Sequence, residues 1–188
     1  MLTTMGFPHL HANTMNEISD TSMLRGGWRA ESPVVNDSPG LRSLVSEQEL
    51  RFQLNRWESL ERIYSDSAKK KLLAVIRSEG AFVWQEPLVG VPHRPIELKL
   101  SSKSITWKEK DWKLAKKLGF DCGLVANDSQ DLKNKSCGIL PSIQKCPILY
   151  ENIVWDGDLL KLRPRSLGEE KCQINPSDTP KRVFVRIP

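Results

Sequence analysis

The side chains best suited to chemistry in this chain are cationic and aromatic. Lys108, Lys110, Lys113, Lys116 and Lys117 crowd into one stretch that opens on Trp107 and also holds Trp112. Lysine ammonium groups neutralise phosphates, and an exposed indole offers a face for a stacked base or a wedge for a lipid interface. A second set is built of arginine: Arg163 and Arg165 follow a hairpin signal, and Arg182 and Arg186 lie on an alternating C-terminal run, with Lys161 and Lys181 beside them. The guanidinium fork suits phosphate geometry. Trp107, the five lysines and these four arginines are the candidate nucleic-acid-binding residues. The bland alternatives are an amphipathic helix with core tryptophans and solvated lysines, and charges that protect an edge strand.

Other constellations carry less. Ser67-Ala68-Lys69-Lys70 has a Ser-x-x-Lys spacing but no companion motif. Asp156 and Asp158 flank Gly157, and a turn explains both. His93 stands alone between Pro92 and Arg94, and no phosphate-cradling glycine loop or H-E-x-x-H occurs. Cys122, Cys137, Cys146 and Cys172 form no C-x-x-C pair, whereas zinc modules usually bring ligands two to four residues apart. Reduced, buried thiols are therefore expected. No catalytic residue, metal ligand or cofactor is predicted, and the chain reads as a non-enzymatic protein.

Composition agrees with a basic binding protein. The 188 residues carry a net charge of +5 and a pI near 9.1. Residues 80–125 hold eight Lys/Arg against five acids. Such a balance suits polyanions: nucleic acid, an anionic membrane face or an acidic protein. No Lys or Arg precedes Arg25, no continuous apolar run follows Met1, and no segment has transmembrane length. An intracellular location, cytoplasmic or nuclear, is the expectation.

These groups must be positioned by a fold. Val45–Gly80 reads as helical: Ser46-Glu47-Gln48-Glu49 has the form of a capping box, Leu50, Leu54, Trp57, Leu60 and Tyr64 recur at three- and four-residue steps, and Gly80 is a stop. Ala81–Trp84 and the alternating Ile96–Leu100 predict strands, with Ser101–Ser104 a turn. A three-turn helix is predicted between a capping box at Thr106-Trp107-Lys108-Glu109 and a stop at Gly119, with Trp112, Ala115 and Leu118 inward. Residues 127–136 read as a surface loop. Asp156-Gly157 predicts a hairpin between Ile153–Trp155 and Asp158–Leu162, and Arg182–Ile187 a last strand. Helices first and strands later predict an α+β fold: an N-terminal helical segment, then a small, mostly antiparallel sheet with one further helix.

Residues 1–44 read as a flexible arm before a single α+β domain at 45–188, with Trp28 expected to anchor to the body. Nucleic acid, RNA or DNA, is the expected partner. The alternative is a structural or adaptor protein that holds a protein through the arm, or an anionic membrane surface. Viral accessory and matrix-type proteins share this size and charge, an analogy that transfers no residue. Thr179-Pro180-Lys181-Arg182 has the form of a proline-directed phosphorylation site beside the second basic set.

Overall fold

The computed structural model describes residues 22–32, 34–36, 44–86, 90, 93–162, 172 and 182–188. The strands are β1 (Gly26–Ala30), β2 (Val34–Asn36), β3 (Leu44–Gln53), β4 (Arg56–Tyr64), β5 (Leu72–Trp84), β6 (Arg94–Trp107), β7 (Ser129–Asp131), β8 (Ile148–Asp156), β9 (Leu159–Leu162) and β10 (Arg182–Ile187). A short helix, α1 (Trp112–Lys117), lies between β6 and β7. Eight strands close an antiparallel barrel in the order β1-β10-β9-β8-β6-β5-β4-β3, because β1 pairs with β3 as well as β10. Closure leaves those strands without an unpaired edge. The expected α+β class is thereby overturned: strand makes up 56% of the described residues and helix 7%.

The supposed N-terminal helix is in fact β3, β4 and most of β5. Two-residue alternation was masked because the enclosed face of β3 and β4 is partly polar. Ser46, Gln48, Leu50 and Phe52 face Ile63, Glu61, Ser59 and Trp57 across the ladder. Leu54, counted in the helical stripe, sits at the hairpin tip, 72% exposed, with a φ of 51°. Gly80 is not a helix stop but a residue at an irregularity in the β5–β6 ladder, where a Cβ would lie 1.7 Å from the Lys99 carbonyl oxygen. Only glycine fits that approach. Ser101–Ser104, read as a turn, continues β6.

Two apolar clusters fill the barrel and its cap. One gathers Trp28, Leu50, Phe52, Trp57, Phe82, Trp84, Ile96, Leu160 and Phe184. The other joins Ile63, Ala74, Ile76, Ile105 and Trp107 to Leu118, Phe120, Leu124 and Leu132 of the segment that follows β6. A polar network also runs through the interior: Arg182 Nη1 donates to Gln48 Oε1 at 2.8 Å, and Gln48 Nε2 donates to Ser59 Oγ at 3.1 Å. Glu61 accepts from Ser46, and burial pushes its carboxyl above the ordinary value despite that bond and the Arg182 and Lys103 charges. Lys103 Nζ donates to Pro141 O at 2.9 Å. The chain thus carries charges through its own core, paired or hydrogen-bonded as burial requires.

Several local predictions hold. Ala81–Trp84 ends β5 and Ile96–Leu100 lies in β6. The Asp156-Gly157 hairpin joins β8 to β9, with Asp156 opposite Leu159 and Gly157 at a φ of 57°. Arg182–Ile187 is β10. Trp28 is wholly buried in the body, on the strand that closes the barrel. Residues 1–21, 33 and 37–43, most of the predicted arm, lie outside the described residues.

Candidate nucleic-acid interface

The helix that follows β6 is shorter than its sequence signals imply. Strand pairing runs on through Thr106 and Trp107, opposite Val75 and Ala74, so the quartet at Thr106 cannot cap a helix. Asp111 caps it instead, its carboxylate accepting from Lys113 N at 2.9 Å and Leu114 N at 3.3 Å. Gly119, at a φ of 86°, supplies the expected stop. The later start changes which side faces out. Ala115 and Leu118 are buried, as expected, but Trp112 is 59% exposed.

At 100° per residue, Trp112, Lys113, Lys116 and Lys117 occupy one face of α1, opposite Leu114 and Ala115. Lys108 and Lys110, just before it, are also exposed. Beside this face lies an open groove of about 530 Å³, walled by Trp112, Lys110 and Lys116 on one side and Asp121, Val125 and Ala126 on the other. Phe120 and Leu124, both buried, form part of its lining. Val125 is 63% exposed. The groove therefore combines exposed apolar side chains with lysines at its rim. Lys116 Nζ lies 3.3 Å from Asp121 Oδ2, but both side chains are more than half exposed, and such a pair contributes little.

The other candidate residues lie elsewhere. Trp107 is wholly buried and packs near Phe120, ring centroids 6.1 Å apart, so it offers no stacking surface. Arg182 shares the enclosed face of β10 with Phe184, and its guanidinium lies 5.3 Å from that ring. Arg186 closes over Trp28, 4.3 Å from the ring centroid, and donates to Arg25 O, Met23 O and Asp158 Oδ1. Neither arginine joins the lysine face. Arg163, Arg165 and Thr179 lie outside the described residues.

All four cysteines are paired, Cys122 with Cys137 and Cys146 with Cys172, contrary to the expectation of reduced thiols. Among the described residues, no three His, Cys, Asp or Glu side chains gather as a metal site. Nor is any helix among them long and apolar enough to cross a membrane. A second concavity, about 360 Å³ on the outer face of β3–β6, mixes Glu49, Glu58 and Glu79 with Arg51 and Arg77. Its Glu49 is already bound by Arg29 and Arg62, each at 3.0 Å.

Sequence reasoning missed Phe120, Asp121, Leu124 and Val125. Leu124-Val125 is an apolar pair just ahead of a polar loop, and that pair was the available signal. Fold and groove together define a closed antiparallel β-barrel protein with a basic, aromatic-walled surface groove. No family model and no curated protein matches the chain.

Proposed function

We propose that this chain is a non-enzymatic binding protein that engages single-stranded nucleic acid, RNA or DNA, along α1 and the adjoining groove. The observation that carries the reading is Trp112, exposed on the same helix face as Lys113, Lys116 and Lys117 and bordering a groove with an apolar lining. Lysines track a phosphate backbone while an indole stacks on bases without sequence preference. A duplex keeps its bases stacked on each other, so single strands are the better match. Arg182 and Arg186 support the barrel and take no part.

The test is a fluorescence-anisotropy titration of the full chain with labelled oligo-dT, oligo-U and a duplex. Micromolar binding to single strands is expected, weakened roughly 5- to 150-fold in Trp112→Ala, the equivalent of the 1–3 kcal/mol that one stacked base contributes. Absence of single-strand binding at low salt overturns the reading. Sedimentation with phosphatidylserine vesicles in place of oligonucleotide binding would favour an anionic membrane surface, which exposed Trp112 and Val125 beside lysines would also suit.

A further inference from the structure

We infer that the groove is complete only in the oxidised chain, because the Cys122–Cys137 disulfide holds its loop wall; as an account of binding, this rests on the nucleic-acid reading above. The wall is the segment Asp121–Ala126. Among the described residues, no backbone N–H of that segment donates a hydrogen bond to another backbone group. The chain on either side is well tied. Phe120 N donates to Ala115 O at 2.9 Å, and Asn127 N donates to Trp107 O at 2.7 Å. Between those points the wall is held by the buried Leu124 side chain, the exposed Asp121–Lys116 pair, one hydrogen bond that Val125 O accepts from Asp128 N at 3.1 Å, and the bond from Cys122 to Cys137.

Cys137 is the fixed end of that bond. It is wholly buried, its N–H donates to Leu140 O, and Ile139 N donates to Gly119 O close by. Gly138 lies against the same place, where a Cβ would come within 1.7 Å of Gly119 O. The bond thus ties the loosely held wall to a tightly packed turn, closed by the bridge between Cys137 and Leu140. Cys122 is only partly buried, so its sulfur is the one a dissolved thiol can reach. Attack by a dithiol thiolate there breaks the Cys122–Cys137 bond through a mixed disulfide with Cys122. The second dithiol sulfur then releases Cys122, leaving two protein thiols and a cyclic disulfide of the reagent. Where dithiol reductants dominate, the wall loses its covalent tie, and where thiols are kept oxidised it stays in place.

The experiment uses the full chain, oxidised or treated with dithiothreitol, and Cys122→Ala/Cys137→Ala beside Cys146→Ala/Cys172→Ala. Thermolysin, which cuts before apolar residues, reads the wall at Leu124 and Val125 by mass spectrometry, and oligo-dT anisotropy reads the groove. Cleavage at least tenfold faster on reduction and in the first variant, with the second variant unchanged at these bonds, is the expected result. A loss of oligo-dT affinity of about tenfold should accompany it. Cleavage that does not respond to reduction overturns the inference, whatever the affinity does. If the first double variant does not fold, the comparison of oxidised and reduced wild-type chain decides alone. Faster cleavage with no oligonucleotide binding in either state upholds the tie and overturns the nucleic-acid reading instead.

Discussion

Salt dependence offers the sharpest check on the lysine face. Five exposed lysines, Lys108, Lys110, Lys113, Lys116 and Lys117, lie within reach of a strand following α1, and four of them make no ion pair among the described residues. Each phosphate neutralised on a single strand contributes about −0.7 to the slope of log affinity against log salt. Four to five contacts give a slope of about −2.8 to −3.5, so affinity should fall roughly 50- to 120-fold between about 50 and 200 mM salt. Replacing Lys110, Lys113 and Lys117 by Ala leaves one or two contacts, and the fall should shrink to roughly 3- to 7-fold over the same range. All three side chains are exposed, so the barrel should remain as stable as the parent. The assay is anisotropy of labelled oligo-dT at five salt concentrations, with Lys133→Ala/Lys135→Ala, exposed at another site, as control. An unchanged slope in the triple variant, or an equal loss in the control, would refute the assignment of the face.

Other expectations concern the body that carries it. Gly80→Ala should destabilise the chain by roughly 3 kcal/mol or more, since its Cβ meets the Lys99 backbone at 1.7 Å; urea unfolding within about 1 kcal/mol of the parent would contradict this. Arg186→Ala removes a cation over Trp28 and three hydrogen bonds, at a cost of about 2–3 kcal/mol, and should red-shift tryptophan emission. Glu61 binds its proton more tightly folded than unfolded, because burial raises its pKa above the ordinary 4.5. Its contribution is therefore favourable at low pH and declines as pH rises from about 4.5 through the folded pKa. Glu61→Gln should flatten that part of a urea-midpoint series, and parallel curves for parent and variant would count against a buried, titrating Glu61.

How much was legible depended on what each strand encloses. Ile96-Glu97-Leu98-Lys99-Leu100 alternates because its enclosed residues are apolar, and it was readable as a strand. Segments 44–53 and 56–64 enclose Ser46, Gln48, Ser59 and Glu61 along with Leu50, Phe52, Trp57 and Ile63, so polarity no longer marks the inner face. Leu50, Leu54, Trp57, Leu60 and Tyr64 then fell into helical steps although they belong to different faces and a hairpin tip. The Ser46–Glu49 quartet had the form of a cap, but the Ser46 hydroxyl serves the Glu61 carboxyl on the neighbouring strand. Closure itself, Trp28 opposite Leu50 on one side and Arg186 on the other, joins residues far apart in the chain. No local signal encodes such a pairing.

The same physics sorted the candidate site. Lysine is rarely buried, so five closely spaced lysines were legible as a surface whatever the backbone did. Tryptophan direction depends on phase, and phase depended on which residue capped α1; moving the cap from Thr106 to Asp111 left Trp107 on a strand facing the core and turned Trp112 to solvent. For the arginines the deciding fact is parity. Arg182, Phe184 and Arg186 alternate along β10, so whichever way Phe184 points the arginines follow. A strand with a buried aromatic between two arginines draws both inward, one to Gln48 inside the barrel and one across Trp28 at its end. Their charge is used to satisfy the interior, and the basic surface is left to the lysines of α1 and its approach.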